Sequence, residues 1–521
     1  MNIAVNKKSI KKIVIVGGGL DAWFSATWLA QKCADDHISI TVIAPPEPKL
    51  SKACAMGLAA MKHAHHDMGL NENTLLRQCL GSVSVGTHYQ NWAFKGDNFF
   101  LPLGPIGFER KGVPFMSLWA KILQQGLSGD DGLGVLSDYS LGALAAQQGR
   151  FETSRSATFS PMSGLHYGYV LDQHLYSQTL KDMALKFGVE LVSGVMTDIS
   201  RRSTDGFIET INLANGEAIS GDLFLDCTGD EALLFEKALN TKPVDYAAYL
   251  PNNRVWRLAC ASEGPLPLCT QVSAHAHGYR AKRPLQDRLT VSFSYSSAHM
   301  ADQTALDDCL NTLKTDIVQA PELEQIHSGH LSHFWVKNCI AMGESAGVVD
   351  GLAPSRMALL LTSLEGLITY FPNTDFSPVE IGYFNNRLQT AYEKALDFNI
   401  LHYVLTQRQD SAYWRDMSEM ALPERLEAPL SLFKSSGRIA PELSGQFSPS
   451  NWFCLLSGLG VKPQAYDPRA DRLSGGQLVA NLKDMRAELV KFCEGLTPYD
   501  TYMTHNFKAR SHDEPLETKA S

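Results

Sequence analysis

The stretch KIVIVGGGLDAWFSATWLAQKC, residues 12 to 33, constrains the chain more than any other. Ile13 to Val16 are apolar and mostly β-branched, the composition of a buried strand. They run straight into three glycines, and a helical pattern follows. Gly17, Gly19 and Ala22 fit G-x-G-x-x-G/A. In that pattern the first glycine permits the tight turn. The second lets the backbone approach a pyrophosphate at the helix N-terminus, and a small third residue lets helix and strand pack closely. ISITVIA, residues 38 to 44, supplies the next strand, so the opening reads as a parallel βαβ unit.

Bulk properties narrow the classes. The chain has 521 residues, 44% hydrophobic and 19% charged, enough for a large core and two or three subdomains. A net charge of -9 leaves no basic footprint for nucleic acid. Ten cysteines occur without a CxxC pair, the usage of reduced thiols in a cytoplasmic protein. Four apolar residues ahead of the glycines are too few for an export signal, whose apolar region spans roughly 7–15. MALLLTSLEGLITYF is interrupted by Glu365 and falls short of the roughly 20 residues that span a bilayer. A soluble protein without a membrane span is expected.

The pattern predicts an α/β fold: a discontinuous, doubly wound, Rossmann-like dinucleotide-binding module over 8–45, 166–231 and 331–372. Segments 46–165 and 232–330, rich in Gly, Pro and aromatics, read as a substrate and cover module. Residues 373–505 read as helical, and 506–521 as a mobile polar tail. ALKFGVELVSGVMTDISRR reads as a helix end and a strand, GEAISGDLFLDCTG as a hairpin arm feeding an apolar strand, and FWVKNCIAMGESAG as one buried strand entering a turn.

Alone, the glycine turn is a weak signal, since a purely structural turn is the minority alternative that remains open. The acid expected at the end of the second strand, for a ribose hydroxyl, is missing: Ala44 stands there, and Glu47 is the nearest carboxylate. Two later segments favour a flavin. LFLDCTG, 223 to 229, has the strand-then-small-turn form that closes over a dinucleotide. CIAMGESAGVVDGLAPSRMALL, 339 to 360, has the form of a second flavin fingerprint, with Glu344 where Asp is usual. Pro354 suits a first helical turn. The positive end of that helix would face the pyrimidine side of an isoalloxazine, where charge gathers on reduction.

With these segments on the page the chain resembles the flavin-dependent tryptophan halogenases over most of its length. The resemblance is carried by the opening turn, LGSVSVGTHYQNWAF (80–94), HYGYVLDQHLYSQTLKDMALKFGVE (166–190), GDLFLDCTGDEALLFEKAL (221–239) and WVKNCIAMGESAGVVDGL (335–352). LHYVLTQRQDSAYW (401–414) and NWFCLLSGLGVKP (451–463) continue it. It implies FAD, held by Gly17, Gly18, Gly19, Leu20, Asp21, Ala22 and Ala44 from the first segment. Met196 and Gly229 join them from the middle of the chain, and Gly343, Glu344, Ser355, Arg356 and Met357 from the later fingerprint. It also implies a tunnel to a small aromatic or indole-like substrate, and reduced flavin supplied by a separate reductase. Flavin and oxygen would convert chloride or bromide to hypohalous acid, which a lysine delivers with the help of a glutamate. A homodimer is compatible with this reading.

The chain departs from that pattern. Ser84 aligns with the lysine, and a hydroxyl can neither form a chloramine nor donate as an ammonium does. Ala353 aligns with the glutamate, leaving Asp350 as the nearest carboxylate. Ser355 and Arg356 replace the Thr-Gly pair of the halide turn, where Arg356 either binds an anion or fills the cavity. YRAKRP replaces a W-x-W-x-I-P signature, keeping Tyr279 and Pro284 with Ala281 at the second tryptophan. LSKACAMGLAAMKHAHH replaces the flavin-covering strap, bringing Lys52, Lys62, His63, His65 and His66. Those histidines, on one irregular stretch, lack a closed ligand set, as do His275 and His277; packing or solvation is expected and no metal. His166 and His174 read as structural, beside a helix capped by Asp172. Three functions stay open: a halogenase, a flavin monooxygenase without halogenation, and a non-catalytic binding protein of the same fold.

Overall fold

The computed structural model describes residues 9–46, 54–57, 59–127, 132–153, 165–239, 241–262, 264–353 and 355–507. Its central layer is a six-stranded sheet in the order Trp335–Val336, Cys339–Ala341, Leu223–Asp226, Lys12–Val16, Ser39–Ala44, Glu190–Ser193. The four internal pairings are parallel, and only the Trp335–Val336 edge is antiparallel. Ile13, Val14, Ile15 and Val16 are buried, as a strand with neighbours on both edges and layers on both faces must be. Helix Leu20–Lys32 follows the glycine turn and packs against helix Gln173–Lys186, with Thr27 Oγ1 donating to Leu180 O at 2.8 Å.

A seven-stranded, mostly antiparallel sheet makes a second layer. Its order is Ile317–Gln325, Arg254–Cys260, Leu289–Tyr295, Gly278–Pro284, Thr270–His275, Gly86–Gln90, Asn98–Pro102. Gly168–Asp172 lies between Cys54–Gly57 and Ser82–Ser84 in a smaller antiparallel sheet. Beyond residue 373 the chain is helical, led by Pro378–Val404. Every cysteine whose side chain is described is free and buried.

Two local expectations change. FWVKNCIAMG is a tight antiparallel hairpin and not one strand, because Lys337 takes a left-handed φ of 55°. Asn338 then closes it, its amide donating to Ile208 O at 2.9 Å while its carbonyl accepts from Ile208 N. The histidine-rich stretch is regular: Ala59–Asp67 is a helix, with His65 buried against Tyr176 and Tyr169 and His66 exposed. Asp172 caps helix Gln173–Lys186 through Leu175 N at 2.7 Å; His174 lies in its first turn and His166 is exposed. Lys52, Glu47, Pro354 and the tail from 508 lie outside the described residues.

Candidate active site: a cleft between two glycine turns

The first turn is built for close approach. Gly17 has φ +139°, and a Cβ there would lie 2.1 Å from the carbonyl oxygen of Cys227. Its N–H donates to Ile43 O at 2.9 Å, tying the turn to the second strand. Gly19 is the N-cap of helix Leu20–Lys32; no side chain caps that end, and no atom stands within 4 Å of where its Cβ would be. The open N–H groups and positive helix end face outward, as an anionic group requires.

A cleft of about 240 Å³ opens at this turn. Gly18, Gly19, Leu20, Trp23, Ala44, Pro45 and Pro46 form one side. Gln173, His174, Ser177, Gln178 and Lys181 face them from the neighbouring helix, with Leu191 and Ser193 below. No carboxylate lines it among the described residues. The ribose acid absent from the sequence is thus not restored by another element there; hydroxyls and amides line the cleft instead. Lys181 Nζ lies 5.7 Å from the Trp23 ring, a cation beside the anion-binding turn. This end fits the adenosine diphosphate half of a dinucleotide.

The second fingerprint meets the first. Gly343, at φ +61°, opens the short turn Gly343–Ser345, and a Cβ on it would strike the Asp21 carboxylate at 2.1 Å. Glu344 N donates to Asp21 Oδ2 at 3.0 Å. Asp226, at the end of the apolar strand, organises the crossing. Its wholly buried carboxylate accepts from Thr228 N at 3.0 Å, Thr228 Oγ1 at 2.7 Å, Leu234 N at 2.8 Å and Ser345 Oγ at 3.2 Å. Burial raises its pKa, and these donors pull it back down. Ser345 Oγ also donates to Gly229 O at 2.9 Å, and Gly229 holds φ +88°.

Between the two turns lies an ion-paired cluster. Arg356, first residue of helix Arg356–Thr369, points Nη2 at both Asp21 oxygens, 3.1 and 3.2 Å, and Nη1 at Glu344 Oε1, 2.7 Å. Burial lowers its pKa, but Asp21 and Glu344 outweigh that and hold the guanidinium charged. Nη1 is also 3.5 Å from Gln173 Oε1, and Gln173 lines the cleft, so the cluster stands at the cleft's far end. The groove is thus open beside Gly19 and closed by side chains where Arg356 meets Asp21 and Glu344.

The remaining positions are placed as follows. Leu20 and Ala22 are buried under the first turn, and Ala44 ends the second strand at the cleft. Ser355 occupies the N-cap position of helix Arg356–Thr369 without a capping side-chain hydrogen bond, its Oγ donating instead to Ala353 O at 3.4 Å, and Met357 is buried behind it. Met196 is half-buried on strand Met196–Arg201 in a separate three-stranded sheet and is not among the cleft's lining residues. Ser84 is buried in core sheet, its hydroxyl donating to Gly86 O at 3.1 Å. Ala353 is buried, its N–H donating to Asn399 Oδ1 at 3.2 Å. Lys62 lies over the Tyr167 ring, 2.7 Å from its centroid; burial draws its pKa down to about 8, with Glu72 opposing.

One buried network escaped the reading of the sequence. Asp350 accepts from the hydroxyls of Tyr279 and Tyr403, the latter at 2.7 Å, and Asn252 Nδ2 stands 3.4 Å away. Tyr413 OH donates to Asn252 Oδ1 at 3.0 Å, and Tyr89 OH to Leu352 O at 3.0 Å. Burial raises the Asp350 pKa while these donors lower it. No local pattern announces such a set, since Asn252 and Tyr413 lie 161 positions apart in the chain and Tyr89 and Leu352 lie 263 apart.

A doubly wound sheet with glycine turns at both strand ends and an open helix N-terminus defines an FAD-type dinucleotide-binding oxidoreductase fold. The tryptophan halogenase family model matches residues 12–475, and the chain belongs to that family. BrvH, a flavin-dependent halogenase from Brevundimonas sp. BAL3, superposes with a TM-score of 0.90 at 28% identity, over 95% of this chain and 99% of that one. Xcc4156, a flavin-dependent halogenase from Xanthomonas campestris, superposes at 0.91 and 26%, over 97% and 100%. Tryptophan 7-halogenase RebH of Lentzea aerocolonigenes is 24% identical over 96% of this chain and 99% of its own length. No described helix is long and apolar enough to cross a membrane, and the described residues hold no cluster of three or more metal-binding side chains.

Proposed function

We propose that this chain takes reduced FAD from a separate flavin reductase in the cytoplasm and, with oxygen and a halide, halogenates a small aromatic, indole-like substrate. The nucleotide module is assigned to 8–45, 166–231 and 331–372, and the cover over the substrate to 46–165 and 232–330. Reduced flavin, when bound, supplies the electrons that activate oxygen, a use general to this family. The chain's own residues supply the rest. The Gly17–Gly19 turn binds pyrophosphate through backbone N–H groups, and Ser177, Gln178, Lys181 and Ser193 orient the adenosine end. Asp226 and Ser345 hold the two turns in register.

Substrate-side chemistry must run without an amine at Ser84 or a carboxylate at Ala353. Asp350, three residues before Ala353, shares one buried hydrogen-bonded network with the hydroxyls of Tyr279 and Tyr403. The observation that carries the proposal is the meeting of the two fingerprints, Glu344 N on Asp21 Oδ2 at 3.0 Å.

The test supplies the purified chain with FAD, a flavin reductase, NADH, oxygen, bromide and indole, and follows products by mass spectrometry. A brominated indole is expected. A hydroxylated product without bromine would replace halogenation by monooxygenation. No product, together with no FAD binding, would leave a binding protein of this fold.

A further inference from the structure

Arginine is an unusual choice for the first residue of a helix, because its charge opposes the positive helix end. Here two carboxylates compensate it, and they come from the two elements that a dinucleotide must pass between. Asp21 belongs to the first turn of the glycine-loop helix, and Glu344 to the Gly343–Ser345 turn. The side chains differ in exposure: Asp21 is 7% exposed, while Arg356 and Glu344 are 34% and 38% exposed. A fixed carboxylate inside thus holds a guanidinium whose outer edge meets solvent. Gln173 touches both this cluster and the open cleft, so the two are consecutive along one groove.

We propose that Asp21, Arg356 and Glu344 form a latch across the groove, closed by ion pairing, which must part before the ring-bearing half of FAD can pass along Gly343. This rests on the flavin reading above and adds to it a control on entry. The Arg356–Glu344 pair is half-exposed, and such pairs are individually weak and screened by salt, so this outer contact is the releasable part of the latch while Asp21 anchors its inner side. The adenosine half binds beyond the latch and does not need it to open.

The experiment compares the dissociation constants of FAD and ADP, read by flavin fluorescence quenching and by calorimetry. The wild-type chain is set against the double variant Glu344→Gln/Arg356→Gln, which removes one charge of each sign, leaves the net charge unaltered and keeps the Asp21 carboxylate on the Glu344 N–H. FAD is expected to bind the double variant about tenfold more tightly, with ADP unchanged; Glu344→Gln alone is expected to give about a threefold gain. Raising NaCl from about 0.02 to about 0.5 M should improve wild-type FAD binding relative to ADP, and needs no variant that folds. Equal or weaker FAD binding by the double variant overturns the latch, as does an FAD-to-ADP ratio insensitive to salt. If FAD binds tightly to the wild type and equally to the variant, only the latch fails. If neither ligand binds any form, the flavin reading falls and the latch with it.

Discussion

The two ends of the cleft solve opposite problems with the same kind of turn. At the Gly19 end, the glycine faces open space, the helix N-terminus is uncapped, and polar side chains with the cation Lys181 line the walls. At the ring end, Gly343 is pressed on Asp21, and Arg356 closes the gap with two carboxylates. The difference teaches that a fingerprint can keep its backbone while its side chains change what it admits. Backbone N–H groups bind an anion whatever the sequence, but the volume between two turns is set by the side chains that meet there.

The sharpest break of this comparison comes from Gly17. Adding a Cβ at φ +139°, 2.1 Å from Cys227 O, is expected to cost about 4 kcal/mol or more. Thermal melting of Gly17→Ala should therefore show a large loss of stability, and a near-normal melt would mean the turn is pliable. Outside the cleft, Ser84→Lys places an ammonium in a buried core strand and is expected to cost about 3 kcal/mol in urea unfolding. A loss below about 1 kcal/mol would show that this strand accommodates an amine after all.

Acid probes the ring end more gently. Burial lowers the pKa of His402 to about 3, and its ring packs 5.0 Å from that of Tyr89, whose hydroxyl holds Leu352. A histidine depressed on folding binds its proton in the unfolded chain first, so stability is full above about 6.5 and is lost as pH falls toward about 3. Stability should drop by about 1.4 kcal/mol per pH unit for this residue below about pH 6. His402→Gln should flatten the slope by about one proton in urea midpoints measured from pH 7 to 5. The smallest effect belongs to the open end: Lys181→Ala should weaken ADP about threefold in calorimetry without moving the melting temperature.

Much of the fold was legible because its signals are local. KIVIV, the glycine turn and ISITVIA predict neighbouring parallel strands, and Lys12–Val16 pairs with Ser39–Ala44 in that manner. LFLD, apolar until its final carboxylate, gives a buried strand at whose end Asp226 meets the turn. The hairpin at Lys337 was not legible, since nothing in FWVKNC distinguishes a left-handed lysine from a strand residue. The sequence marks Asp21, Glu344 and Arg356 as candidate cofactor contacts, with Arg356 also at the position of the halide turn. Their mutual ion pairing was hidden, because Asp21 and Arg356 are 335 positions apart in the chain.

The amino-acid sequence by itself determined where the strands, the glycine turns and the family signatures fall, because hydrophobic period, β-branching and glycine act over a few residues. Tertiary structure alone decided which charges face one another across the cleft. An ion pair depends on distance in space, and only the folded sheet brings Asp21, Glu344 and Arg356 within reach.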